Sequence, residues 1–288
     1  MKRLLFPALI LVISVTKAQL PNYAQLWERY EIILEGPATG NPFMDTWLTA
    51  EFTHNSKKVT VNGFYDGEGV FKIRFMPDET GIWKFTTKSN KKALSGRKGE
   101  FTCAAPAPGN HGPVKVASTW HFKYADGQWY YPFGTTLYAW THQGKELQEQ
   151  TLQTLKTAGF NKVRMCVFPK YYSHVEEDPE VYPYPQLSFN ANGTPRFTWD
   201  LTKFNPAFFH HLEKRIDELA ALNIEADLIL FHPYDKGRWG FDSLGKEADT
   251  RYLQYITARL SSFHNVWWSM ANEYDFVKTK TREVWDVY

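Results

Sequence analysis

The chain has 288 residues, 43% of them hydrophobic, enough to bury at least one large core. Its 33 basic and 31 acidic residues nearly cancel, so it offers no electrostatic footprint for nucleic acid or an anionic membrane surface. Aromatic residues make up 17%, which suits stacking on the C–H faces of sugars and equally suits an ordinary β-rich core.

Residues 1–18, MKRLLFPALILVISVTKA, read as a secretory signal peptide. Lys2 and Arg3 form a basic start, Leu4 to Val15 an apolar stretch, and Ala18 a small cleavage position. The apolar stretch falls short of the roughly 20 residues that span a bilayer. A secreted or periplasmic protein with no membrane span in its mature chain is expected. Cys103 and Cys166 could pair after export, but they fall in different predicted domains, and Cys166 reads as a buried free thiol inside a strand.

Residues 20–103 predict a β-sandwich of immunoglobulin-like type. WERYEIILEG alternates Tyr30, Ile32 and Leu34 against polar neighbours, and TWLTAEFTH sets Leu48, Ala50 and Phe52 on one face. Asp66 and Glu68, in the glycine-rich turn of VNGFYDGEGVF, read as solvated loop carboxylates. Residues 104–113, rich in proline, alanine and glycine, read as a semi-rigid linker.

From residue 114 strands alternate with helices. Strands are predicted over 128–140, 161–168, 224–231 and 265–272, and helices over 145–158, 205–223 and 247–263. Asn205 caps the second helix and Pro206 opens it. The long stretch 169–202, with five prolines and many aromatics, reads as a loop that walls a site. The alternation implies a parallel sheet and the first half of a TIM (β/α)8 barrel, so residues 114–288 form an incomplete barrel: about 250 residues make a whole one.

In such a barrel chemistry gathers where strands end. Those ends present Tyr138, Trp140 and His142, then Arg164, then His232, then Asn272 with Glu273. Each also has a plain structural use: Arg164 could neutralise a buried carboxylate, and His232 before Pro233 could cap a loop. No zinc spacing is present, adjacent His210 and His211 point to different helix faces, and no metal or cofactor is expected. A metal-dependent hydrolase using His142 and His232 would lack paired ligand spacing.

RYLQYITARLSSFHNVWWSMANEYD resembles the third helix and fourth strand of retaining glycoside hydrolases of clan A, and GFNKVRM is similar to their second strand. TWHFKYADGQWYYPFGTTLYAW resembles the start of the apiosidase-like barrel family of secreted Bacteroidota glycan-degrading systems. NPFMDTWLTAEF, VNGFYDGEGVFKIRFMPDETGIWKF and GEFTC resemble the uncharacterised domain often placed before such barrels. The resemblance implies an oligo- or polysaccharide substrate, with Glu273 as acid/base, its pKa raised by an apolar setting. It implies that Asn272 binds the sugar 2-hydroxyl and that Arg164 holds a nucleophile ionised. His232, Tyr138, Trp140 and His142 would line the subsite. The family's nucleophile ends strand seven, which these residues do not reach. Asp275 is too close to Glu273 to replace it, while Asp235 is a candidate without family precedent. A truncated, inactive hydrolase is therefore expected, or alternatively a non-catalytic carbohydrate-binding protein. No oligomeric state can be read.

Overall fold

The structure is a computed structural model that describes residues 22–172 and 178–288. The predicted signal peptide lies outside the described residues.

Seven strands build the first unit: β1 (Tyr23–Gln25), β2 (Tyr30–Glu35), β3 (Leu48–His54), β4 (Lys57–Tyr65), β5 (Val70–Phe75), β6 (Gly81–Ser89) and β7 (Lys98–Ala104). A one-turn helix, α1 (Pro42–Asp45), precedes β3. The strand order is β1-β7-β6-β3-β4-β5-β2. β4 changes partner along its length: residues up to Asn62 pair with β3, and Gly63 to Tyr65 pair with β5. Gly63 is needed there, because a Cβ would lie 2.7 Å from Leu48 Cδ2. Around this strand the sheet folds back on itself. Tyr30 of β2 stacks on Phe101 of β7 at 3.8 Å, and Phe52 of β3 on Phe75 of β5 at 4.1 Å, although β2 and β7 stand near opposite ends of the order. Alternation therefore does its expected work, burying Ile32, Ala50, Phe52, Ile73 and Trp83 completely. One pairing departs from the antiparallel expectation: β1 runs parallel to β7.

After residues 105–113, which hold no strand or helix, the single strand predicted over 128–140 is split. β8 (Val114–Ser118), β9 (His121–Tyr124) and β10 (Trp129–Tyr130) form an antiparallel meander. Pro132, which has no N–H to give a ladder, separates β10 from β11 (Gly134–Thr136). β11 then starts a four-stranded, all-parallel sheet with β12 (Lys162–Cys166), β15 (Glu225–Phe231) and β16 (Val266–Ala271), in the order β11-β12-β15-β16. Between β12 and β15 the long loop carries a hairpin that alternation did not reveal, β13 (Gln186–Phe189) with β14 (Phe197–Trp199).

Helices α2 (Lys145–Leu155), α3 (Pro206–Ala221) and α4 (Lys246–Leu260) cross between the strands, and α5 (Arg282–Val287) follows β16. The Asn205 side chain accepts from the Ala207 amide at 3.2 Å, the expected cap of α3. Val163, Met165, Ala226, Leu228 and Leu230 share one core with Leu152, Phe209, Leu212, Ile216, Tyr252 and Ile256, so one sheet face is covered by helices. The opposite face is polar: Lys162, Arg164, Glu225, Asp227 and Ser269 occupy its register positions. Phe122 of β9 and Tyr130 of β10 pack on Trp267 at 5.3 and 5.7 Å, so the meander closes the end of the sheet where the strands begin.

The two units are joined by buried charge. Arg259 of α4 donates to Glu213 of α3 at 2.6 Å and to Asp66 of the β4–β5 turn at 2.6 Å. Arg74 of β5 lies 2.8 Å from Glu213 and donates to Glu31 at 2.7 Å. Asp66 also meets Lys72 at 2.7 Å and His210 at 2.8 Å. This corrects the reading of Asp66 as a solvated loop group: its side chain is only 4% exposed. Burial pushes its carboxyl upward, but the Arg259 charge and hydrogen bonds from Lys72 and His210 win and hold it at about 2.

Among the described residues no helix is long and apolar enough to cross a membrane, and no group of three or more His, Cys, Asp or Glu side chains is placed to hold a metal ion. Cys103 and Cys166 are both free and buried.

Candidate active site

The C-terminal ends of the parallel strands lie on one side of the sheet, opposite the meander. Glu273 stands two residues past β16 in the left-handed region, with φ 48° and ψ 52°, and leads into a 3-10 turn over Tyr274–Phe276. A residue with a Cβ occupies that region at a cost of about 1–2 kcal/mol. Its side chain is exposed, which corrects the expectation of an apolar setting. The neighbouring Asn272 is tied down: its amide nitrogen donates to the Tyr234 hydroxyl, and its backbone N–H to the Phe231 carbonyl at 3.0 Å.

Tyr234, on the loop after β15, is the centre of the group. Its ring stacks on Tyr138 at 5.8 Å and on His232 at 5.3 Å. Burial raises its hydroxyl pKa, and the nearby Glu273 carboxylate raises it further against the Asn272 contact, so it stays a neutral phenol. Lys170, on the loop after β12, sets its ammonium 3.7 Å from the Tyr172 ring centre, 4.7 Å from that of Tyr234 and 5.7 Å from that of Tyr138. Burial lowers its pKa, with the Lys236 charge adding to the fall and Cys166 and Glu273 opposing it. Tyr138, Lys170, Tyr172, Tyr234, Asn272 and Glu273 thus converge from the ends of all four strands.

Two predicted residues, Trp140 and His232, turn out to be structural supports, and a third, His142, is tethered by one ring nitrogen while its Nδ1 is buried without a hydrogen-bond partner among the described residues. Trp140 is 4% exposed in the core, where its Nε1 donates to the Gln148 carbonyl of α2 at 3.0 Å. His232 is buried: Nε2 donates to the Phe168 carbonyl at 3.0 Å, and Nδ1 accepts from the Tyr234 amide at 3.2 Å. With both nitrogens engaged by backbone, it braces two loops and has nothing to offer a sugar. Burial lowers its pKa to about 4. His142 donates from Nε2 to the Val167 carbonyl at 3.0 Å, and burial lowers its pKa to about 3. The strand-end position of all three was legible, but the direction of each side chain was not.

Arg164 lies on the polar face of β12, in register with Thr136 and Asp227. Asp227 is already bound by Lys162 at 2.9 Å and by the Ser269 hydroxyl at 2.7 Å, while the buried Arg164 Nε has no hydrogen-bond partner among the described residues. Asp235 is removed as a stand-in nucleophile. It is 1% exposed, and its two oxygens accept from the Trp239 and Phe241 amides at 2.7 and 2.8 Å. Burial raises its pKa to about 6 against those hydrogen bonds. Asp275 is exposed in the turn beside Glu273. Sequence reading missed Lys170 and Tyr234; the available signal was a cation and a tyrosine just past each strand end, in FPKYY and HPYDK.

The long loop packs on the core through aromatic residues. Trp199 of the hairpin donates to the Trp239 carbonyl at 2.7 Å and stacks on Phe241 at 5.0 Å, and Phe241 stacks on Phe168 at 5.0 Å.

Residues 117–288 match the family described as the apiosidase-like catalytic domain. The chain belongs to the apiosidase-like family. Residues 23–90, ahead of the apiosidase-like domain, match a domain of unknown function, DUF5060. A crystal structure titled as that of a candidate glycoside hydrolase from Bacteroides vulgatus ATCC 8482 is 54% identical, with a TM-score of 0.89 over 92% of this chain and 52% of that one. The chain thus spans about half the length of that relative. A family 5 glycoside hydrolase from the same organism is 18% identical, with a TM-score of 0.41 over 62% of this chain and 36% of its own. An endo-1,4-beta-mannanase from Rhizomucor miehei is 17% identical, with a TM-score of 0.38 over 56% of this chain and 48% of its own. Comparison with curated proteins gave no match. The family is glycoside hydrolase-like.

Proposed function

We propose that these residues carry the acid/base half of an exported retaining glycoside hydrolase acting on an oligo- or polysaccharide. The supporting observation is the placement of Asn272 and Glu273 at the end of the fourth parallel strand, beside Tyr234 and Lys170. On this reading the parallel sheet is the first half of a (β/α)8 barrel and the folded-over sheet an immunoglobulin-like sandwich. Glu273 protonates the departing glycosidic oxygen and later deprotonates the incoming water. Asn272, held by Tyr234, presents an amide to the sugar beside the reacting carbon, a contact that strengthens as the oxocarbenium-like transition state forms. The second carboxylate attacks from about 5–5.5 Å away. It is brought to the polar face by residues outside these 288, where the spare donor of Arg164 favours its ionised form.

Hydrolysis of aryl glycosides tests this. The 288 residues alone are expected to give no turnover. A chain that supplies a carboxylate across the sheet is expected to turn over, and to lose turnover on poor leaving groups in Glu273→Gln. Turnover by the 288 residues that Glu273→Gln abolishes would overturn the inactivity, and a longer chain indifferent to Glu273→Gln would overturn the assignment. Export is tested by N-terminal sequencing of mature protein, expected to begin near Gln19.

A further inference from the structure

Where the first unit meets α4, a cavity of about 260 Å³ opens, lined by residues of both units and by none of the strand-end group around Glu273. Its volume is slightly below the ~300 Å³ at which ligand clefts usually begin, and unit boundaries are a preferred place for such clefts. Phe204 and Tyr255, stacked at 4.0 Å, form part of an apolar floor. Trp47, a large aromatic residue, lines it and is left 53% exposed. Two side-chain amides in the lining are exposed and open to a ligand, those of Asn62 and Gln254.

The charge of the lining narrows the choice. Arg251 is the charged side chain there, and its Nη1 is already paired with Glu247 at 2.5 Å, while Nη2 reaches the Leu201 carbonyl at 3.4 Å. Nothing is left to attract a net anion, and no carboxylate in the lining attracts a cation. An exposed indole beside an apolar floor, with the exposed amides of Asn62 and Gln254 at its edge, matches a small neutral molecule with apolar C–H faces and hydroxyls around its edge. We propose that this cavity is a second, non-catalytic carbohydrate site that takes one neutral sugar unit, stacked on Trp47 and hydrogen-bonded to Asn62 and Gln254. It makes the DUF5060-like unit a contributor to glycan capture rather than a spacer.

Saturation-transfer NMR and titration calorimetry on the 288-residue chain test this with cellobiose, xylobiose, mannobiose and maltose as probes. At least one is expected to bind. Trp47→Ala, at an exposed position, is expected to weaken it by about tenfold or more, and Gln254→Ala by a smaller factor. Glu273→Gln is expected to leave the affinity unchanged, which separates this site from the catalytic reading. Binding of none of the four, or binding that survives Trp47→Ala but is lost in Glu273→Gln, would overturn the proposal.

Discussion

Replacing Glu225 with glutamine isolates the energy of one buried carboxylate. Glu225 opens β15 on the polar face of the parallel sheet and is only 3% exposed. It accepts a hydrogen bond from Trp267 Nε1 at 3.0 Å, but the nearest cation, Lys162, is committed to Asp227 at 2.9 Å. Burial therefore dominates and raises its pKa from 4.5 to about 7, against the Trp267 hydrogen bond and the Lys162 charge. The sign follows from linkage. A carboxyl with a raised folded pKa favours the folded state fully below the unfolded value, and that advantage is lost as pH climbs through the folded value. Glutamine, always neutral and nearly the same shape, escapes the loss. From the two pKa values, Glu225→Gln is expected to gain about 1 kcal/mol near pH 5 and about 3 kcal/mol near pH 8. Urea unfolding of both proteins at the two pH values, followed by tryptophan fluorescence, measures the difference. An equal effect at both pH values would refute the reasoning, because it would mean that Glu225 ionises alike in both states.

The remaining predictions use the same logic at other positions. Arg259→Met takes from Asp66 its main counter-charge and from Glu213 one of its two arginine partners, so a loss of about 3–5 kcal/mol is expected in urea unfolding, with the two units unfolding less cooperatively. Trp140→Ala empties a core position and is expected to cost about 3–5 kcal/mol by the same assay; a stable variant with weakened sugar binding would instead place Trp140 in the subsite. His232 has a folded pKa depressed to about 4 by burial, so its stabilising share is present above 6.5 and is lost as pH falls through 4. In His232→Asn that acid-linked loss, about 3 kcal/mol in full, is expected to vanish from the difference between pH 7 and pH 4. Glu273→Gly relieves a left-handed backbone and is expected to raise stability by up to about 1 kcal/mol; a loss would mean that the Glu273 side chain holds the turn together.

Periodicity made most elements of the parallel sheet legible. The 3.6-residue repeat and Asn205 cap of α3 and the apolar runs of β15 and β16 needed no tertiary information, because each buries a face that its own sequence defines. The split at Pro132 was not legible in that way. WYYPFGTT is apolar throughout, and which half joins the meander and which the parallel sheet depends on partners far away in the chain. The β13–β14 hairpin was hidden for a similar reason: two strands of four and three residues give alternation too little length to register. At the site, position along the strand could be read but side-chain direction could not. Trp140 and His232 sit where strand-end chemistry belongs, yet both turn into the protein, while Tyr234, two residues beyond His232, carries the part-buried contact with Asn272.

The polar face of the sheet explains why Arg164 matters more than its neighbours. Charges on that face are settled laterally, strand to strand: Lys162 with Asp227, Trp267 with Glu225, Ser269 with Asp227. Arg164 shares a register level with Asp227, whose two oxygens are already bound, so its guanidinium keeps a buried donor that no neighbour answers. A fold that needed Arg164 only for charge balance would have paired it with the carboxylate one strand away. On the reading proposed above, an arginine at that level, below Asn272 and Glu273 at the strand ends, would receive the carboxylate that completes the pair.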